Sequence, residues 1–334
     1  MKYGRKRRRN SGMGKYIIVL LLLCILLIFA IGLIVKRQGS KPPVQHDPTQ
    51  TGTSQTSDVG TPSETHTVPI STVPVEPPTD GNGTVVSSEN KHIYIRVNHE
   101  KTVDLPADFG TQVQYSISDD NVAVVDQNGL LTGLQKGSCT LTVQGGEKTL
   151  EIPVTVREMV IENGCTYVDG ILVANKTYSL PKDYNPGLLP VTEEAFQKLS
   201  ADAKAQGLDI HNSSDFRTYE FQVEVYNSMV DGYSKEYADS VSARPGHSEH
   251  QTGYTIDCNT IDNTFADTKA GKWLAQNCWK YGFIIRYPAD KVELTGYDYE
   301  SWHIRYVGVE HAKEIWEQGI CLEEYLDIDS KYAD

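Results

Sequence analysis

Residues 248–257 read SEHQTGYTID and residues 299–303 read YESWH, and four side chains in these two strings decide how the chain is read: His250, Asp257, Glu300 and His303. Two neutral imidazoles and one carboxylate are a donor set that a catalytic zinc ion takes, with a fourth position left for water. Glu300 lies three residues before His303. One helical turn or a tight loop would set its carboxylate beside a zinc-bound water without making it a ligand, which is the place of a general base. His250 and Asp257 are seven apart, an odd spacing that one flat strand would point to opposite faces. A bend must intervene. Gly253 is placed to supply it, and residues 254–257 then read as a short strand that carries the carboxylate into the site. Any one of these histidines alone would more often be an ordinary surface or core residue, so the weight rests on the set.

From Ser248 the chain gives Ser-x-His-x-x-Gly-x-Thr-x-Asp, which closely resembles the Ser-x-His-x-x-Gly-x-Ala-x-Asp signature of the zinc D,D-carboxypeptidases of the VanY and VanX type. Further segments match in the same order over roughly residues 165–326. YESWHIRYVG resembles the family's Glu-x-Trp-His segment, SSDFRTYEFQ its Ser-Gly-Tyr-Arg-Ser segment, and NKTYSLPKDYNP and WLAQNCWKYGFIIRYP resemble the VanY subgroup. The resemblance implies an α+β zinc peptidase domain over residues 160–334, with a small antiparallel sheet and flanking helices. It implies His250, Asp257 and His303 as zinc ligands, Glu300 as the base that activates a zinc-bound water, and Arg217 as a catalytic and substrate-binding residue. Arg217 suits either a developing oxyanion or the substrate carboxylate, because a guanidinium is always protonated. By the same match Gln222 and Ser242 fall where related enzymes contact the C-terminal D-residue.

The expected reaction is hydrolysis of the terminal D-Ala-D-Ala bond of peptidoglycan stem peptides. Two alternatives stand beside it: an L,D-carboxypeptidase acting on tetrapeptide stems, and a wall-binding module that keeps the fold and the metal without activity. An intact Glu300 speaks against the module, since a structural zinc is normally closed by a fourth ligand and needs no spare base. Two positions depart from the pattern. The usual Ala is Thr255, which can hydrogen-bond around the ligands, and the usual Gly-Tyr before the arginine is Asp215-Phe216, which can alter the floor of the substrate pocket.

The N-terminal third says where such chemistry would take place. Residues 1–15 are a basic tail and 16–35 an uncharged apolar run of 20, long enough to cross a hydrocarbon core of about 30 Å as a helix. Seven Lys/Arg residues precede the run, and only Lys36 and Arg37 follow it closely. The excess keeps the N-terminus cytoplasmic and the rest outside, anchored by a single span. A cleaved signal peptide is the rival reading; the run is longer than a usual signal core and no small-x-small site precedes Lys36. Residues 36–90, rich in Thr, Ser and Pro, read as a disordered linker with an r.m.s. span of roughly 40 Å, either wall-associated or a mere spacer.

Residues 91–156 alternate in short runs (HIYIRV, QVQYSIS, VAVVD, CTLTV, LEIPVTV) between turn signals, which predicts a small all-β antiparallel sandwich. SDDNVAVVDQNGLLTGLQKGSCTLTV resembles a bacterial Ig-like domain of group 2, with Gly129, Gly133 and Gly137 at turns. The net charge is -13, and without the nine cations of residues 1–37 the remainder stands near -22, a poor surface for nucleic acid. Of six cysteines, Cys24 falls in the apolar run and Cys139 in the sandwich. The other four permit disulfides, with Cys258–Cys278 and Cys165–Cys321 the preferred pairing. Oligomeric state is not legible.

Overall fold

The computed structural model describes residues 92–103, 105, 109 and 112–333. The span expected over 16–35 and the linker over 36–90 lie outside them. Among the described residues no helix is long and apolar enough to cross a membrane.

The first layer of structure follows from period-two alternation. In β7 (Lys148–Arg157) Leu150, Ile152, Val154 and Val156 turn inward while Glu151 and Pro153 face water. Seven strands form two sheets: β1 (Ile93–Arg96), β3 (Val113–Ile117), β6 (Gly137–Gly145) and β7 in the order β1-β7-β6-β3, and β2 (Glu100–Thr102), β4 (Ala123–Val125) and β5 (Leu130–Gly133) in the order β2-β5-β4. Leu131, Leu141, Val143, Ile152 and Val154 fill the space between. The sheets are not antiparallel throughout, because β1 runs parallel to β7 and pairs Ile93 with Val154 and Arg96 with Arg157. No hairpin joins these two strands, so no turn dictates their direction. Of the three glycines expected at turns, Gly129 alone has a positive φ. Gly133 and Gly137 lie in strands, where a side chain would strike the Arg96 carbonyl and Val122.

Beyond the sandwich the chain makes a three-stranded meander of β8 (Met159–Glu162), β9 (Cys165–Val168) and β10 (Ile171–Val173). Then come α1 (Pro190–Ala205), β11 (Asn212–Ser214), α2 (Tyr219–Gly232), α3 (Lys235–Val241), β12 (Thr255–Cys258), α4 (Lys269–Asn277), β13 (Phe283–Tyr287), α5 (Val292–Thr295), β14 (Glu300–Tyr306), α6 (Val309–Gln318) and α7 (Leu322–Leu326). α1 begins at a proline, whose missing N–H is no loss there, and α2 and α3 begin at Thr218 and Ser234, whose hydroxyls accept backbone N–H groups. Antiparallel pairing gives the sheet order β11-β12-β14-β13. Alternation then gives the sheet two unlike faces. Ile256, Phe283 and Ile304 pack with Phe196 and Leu199 of α1, while Asp257, His303 and Arg305 occupy the other set of positions.

The meander and α7 meet the sandwich directly. Tyr94 of β1 packs in one apolar cluster with Val168, Leu322, Tyr325 and Leu326. Arg157, nearly fully buried, donates from Nε to the Tyr325 carbonyl at 2.8 Å and lies 3.9 Å over that ring. Asp327 accepts the Arg96 N–H at 2.8 Å and pairs with Lys101 Nζ at 2.8 Å. The Ig-like part is thus seated on the peptidase part through buried contacts.

The expected disulfides are not formed. Cys139, Cys165, Cys258, Cys278 and Cys321 are all buried free thiols. Cys258 and Cys278 share one apolar core, but Cys165 packs with Leu172 and Leu180 while Cys321 caps α7. The ends of the peptidase part are tied by hydrogen bonds instead. Asn175 Nδ2 donates to the Asp329 carbonyl, and Thr177 bonds with Lys331.

Candidate metal centre and active site

Local geometry at residues 248–257 follows from one glycine. Glu249–Thr252 form a single 3₁₀ turn, Gly253 takes φ 76° in the left-handed region, and the chain leaves as β12. A Cβ at 253 would lie 2.3 Å from the Gly187 carbonyl oxygen. The Gly253 carbonyl also accepts from Leu189 N–H and the Thr192 hydroxyl, which fastens the bend to the start of α1. Gly253→Ala is therefore expected to cost roughly 2–4 kcal/mol, from strain and clash together. Thermal unfolding checks this, and a loss below about 1 kcal/mol would contradict it.

The bend brings His250 to Asp257, with Nε2 3.2 Å from Oδ2. In the antiparallel pair of β12 and β14, Asp257 stands directly opposite His303, whose Nδ1 is 3.3 Å from Asp257 Oδ1. Glu300 reaches the same point by a route other than a helical turn or loop. It begins strand β14, and a break in register between Ile285 and Tyr287 of β13 lets residues three apart converge, with Glu300 Oε2 3.2 Å from His303 Nδ1.

All three candidate ligands are buried, and one donor atom from each lies within 4.8 Å of the others. His250 Nδ1 lies 2.6 Å from the Asp215 carbonyl, so it carries the proton and leaves Nε2 with a lone pair. Asp257 Oδ1 is buried with no hydrogen bond. A shielded carboxylate oxygen facing imidazole nitrogens fits a divalent cation, and zinc takes this donor set. Burial alone would push the Asp257 carboxyl up, but His250 and His303 outweigh it and hold it well below the usual carboxylate range. Burial lowers His250. For His303 burial acts the same way, yet the nearby carboxylates of Asp257, Glu249 and Glu300 outweigh it and raise it.

A cavity of about 370 Å³ opens beside this cluster. Arg217 lines it with Nη2 2.8 Å from Asp257 Oδ2 and 2.8 Å from Ser214 Oγ, so the guanidinium is braced against a candidate ligand. Gln222 and Ser242 meet at the cavity wall. Gln222 Nε2 donates to Ser242 Oγ at 3.3 Å and to the Ala243 carbonyl at 2.8 Å, leaving Oε1 buried without a partner. The two unusual positions behave differently from expectation. Thr255 Oγ1 is buried and makes no hydrogen bond. Asp215 acts through its backbone on His250, while its carboxylate takes Asn212 Nδ2 at 2.8 Å.

One large feature was not anticipated. Glu249 Oε1 accepts from Arg286 Nε at 2.7 Å and Arg305 Nη1 at 3.0 Å, and Arg286 also pairs with both oxygens of Glu323. All four side chains are buried. The available signal was an arginine at an inward strand position in FIIRY and again in HIRY, which only a buried carboxylate makes tolerable.

An antiparallel sheet bearing a buried His-Asp-His cluster, with a carboxylate and a guanidinium at a cleft, is the arrangement of a metallopeptidase. The VanY family model, D-alanyl-D-alanine carboxypeptidase, matches residues 187–309, and the group 2 bacterial Ig-like model matches residues 100–156. The chain is 36% identical over 155 residues to the bifunctional D-Ala-D-Ala dipeptidase and D-Ala-D-Ala carboxypeptidase VanXYC of Enterococcus gallinarum, covering 43% of this chain and 80% of that one. It is 41% identical over 140 residues to a D-alanyl-D-alanine carboxypeptidase of Enterococcus faecalis, covering 39% of this chain and 52% of that one. The solved LdcB LD-carboxypeptidase is 43% identical with a TM-score of 0.49, over 53% of this chain and 98% of that one. The chain belongs to the VanY family of peptidases and carries a bacterial Ig-like domain before the catalytic part.

Proposed function

We propose that the chain is a zinc carboxypeptidase that removes the terminal D-alanine from peptidoglycan stem peptides ending in D-Ala-D-Ala. The observation that carries this reading is the placement of Glu300 Oε2, 3.2 Å from His303 Nδ1 at the cavity edge, beside a three-residue donor set with no fourth protein ligand among the described residues. His250, Asp257 and His303 would hold the ion. When bound, zinc supplies Lewis acidity and makes water a nucleophile near neutral pH.

The protein's own groups do the rest. Glu300 takes the proton of the attacking water and returns it to the leaving amine. Arg217, fixed by Asp257 and Ser214, offers permanent positive charge to the substrate carboxylate or the developing oxyanion. Gln222 Oε1 is an acceptor for a donor on the C-terminal residue, with Ser242 holding the amide in place. The apolar run at 16–35 and its flanking charge support an anchored enzyme with its catalytic part outside the cell, where this substrate is found.

The test is incubation of the full chain and zinc with muropeptides carrying pentapeptide or tetrapeptide stems, followed by mass spectrometry of released alanine. Loss of one alanine from the pentapeptide alone is the expected result. Release from the tetrapeptide alone would replace it with the L,D reaction, and silence on both with zinc bound would favour a wall-binding module.

A further inference from the structure

The buried acid Glu249 has no part in the chemistry above, and its geometry is unusual. Both arginines that hold it, Arg286 and Arg305, bind the same oxygen, Oε1. Oε2 is left without a hydrogen bond, fully enclosed, 3.6 Å from Nε2 of His303. That Nε2 is itself buried and unpartnered. Two orphaned polar atoms therefore face each other behind a candidate metal ligand, and an approach of about half an ångström makes them a hydrogen bond.

We propose that Glu249 is a positioning residue for the metal centre, accepting Nε2–H of His303 so that Nδ1 presents its lone pair beside Asp257 and Glu300. The inference rests on the metal reading given above. A ligating histidine is held in one tautomer and one orientation by the partner of its other nitrogen, and loss of that partner typically weakens metal binding about 10–100-fold. The paired guanidiniums explain why the carboxylate does not turn away, since rotation would break bonds to Arg286 and Arg305 together. One 3₁₀ turn then serves the site twice, with His250 as ligand and Glu249 as the group that orients the opposite ligand.

Glu249→Gln tests this because of what the arginines require. They need an acceptor, so the amide oxygen turns to them and the NH₂ group faces His303, disfavouring the Nε2–H tautomer. Glu323→Gln is the control, as Glu323 is an equally buried partner of Arg286 that does not face His303. Zinc affinity of the full chain is measured by competition with a chromophoric chelator, with thermal unfolding in parallel. Glu249→Gln is expected to bind zinc about 10–100-fold more weakly. Glu323→Gln is expected to lose stability while keeping affinity within about threefold.

Unchanged affinity in Glu249→Gln, or an equal loss in Glu323→Gln, would overturn the role. Should Glu249→Gln not fold, the wild-type chain labelled with ¹⁵N-histidine and loaded with zinc decides. His303 protonated at Nε2 and bound through Nδ1 supports the proposal, and the reverse assignment overturns it. A wild-type chain that binds no zinc would instead remove the metal reading beneath it.

Discussion

Glu300→Ala is expected to keep its metal and to lose turnover by roughly two to four orders of magnitude, the usual weight of a positioned general base. The ligand set His250, Asp257 and His303 is untouched by the change, and His303 remains held in β14 opposite Asp257. What goes is a carboxylate at the cavity edge, 3.2 Å from His303 Nδ1, that is neither proposed as a ligand nor, among the described residues, engaged by an arginine. The loss should fall on kcat and kcat/KM together with little change in KM, because proton transfer is felt only in the transition state. Metal content by elemental analysis and alanine release from pentapeptide stems read the two halves of the prediction. Turnover within tenfold of wild type would take Glu300 out of the base role, and loss of the metal would make it a ligand.

Arg286→Met should give the largest stability change, about 3–5 kcal/mol, since removing one member of a buried ionic group leaves its partners charged and unpaired. Arg286 makes hydrogen bonds of 2.6–2.8 Å to Glu249 and Glu323. Without it Glu323 keeps only Asn175 Nδ2, at 3.1 Å, and Glu249 keeps Arg305. In a domain of this size the midpoint of thermal unfolding should fall by roughly 6–20 °C.

The pH dependence follows from Glu249. Burial would raise its carboxyl, but Arg286 and Arg305 hold it below the usual range. A group whose folded pKa is depressed contributes fully above its unfolded value, near 4.3, and that contribution is lost as pH falls toward the folded value. The gap between wild type and Arg286→Met should therefore narrow on acidification below about pH 4. A variant within about 1 kcal/mol of wild type at neutral pH would refute the account.

Much of this site is legible in one dimension because its members are close in sequence or separated by a single diagnostic bend. His250, Gly253 and Asp257 fall within eight residues, and a spacing that forbids one flat strand forces a turn where the only glycine stands. Glu300 and His303 are likewise local, although the bulged strand that joins them was expected as a helical turn or loop, since two residues in a fixed relation do not reveal the backbone between them. The Glu249 network escaped for the opposite reason. Its carboxylates and arginines come from a 3₁₀ turn, two strands and α7, and nothing local in the sequence says which buried charge answers which.

Residue order alone thus picked out the candidate donor set, the carboxylate proposed as base beside it, the bend at Gly253 and the alternating core of the sandwich, all properties of short-range spacing and side-chain chemistry. Tertiary structure alone decided the parallel entry of β1, the seating of the Ig-like part through Tyr94 and Arg157, the free state of the cysteines and the ionic layer behind His303. These depend on which distant segments share a buried face. That choice is made by the burial of apolar surface over the whole domain and by the requirement that every enclosed charge find a partner there.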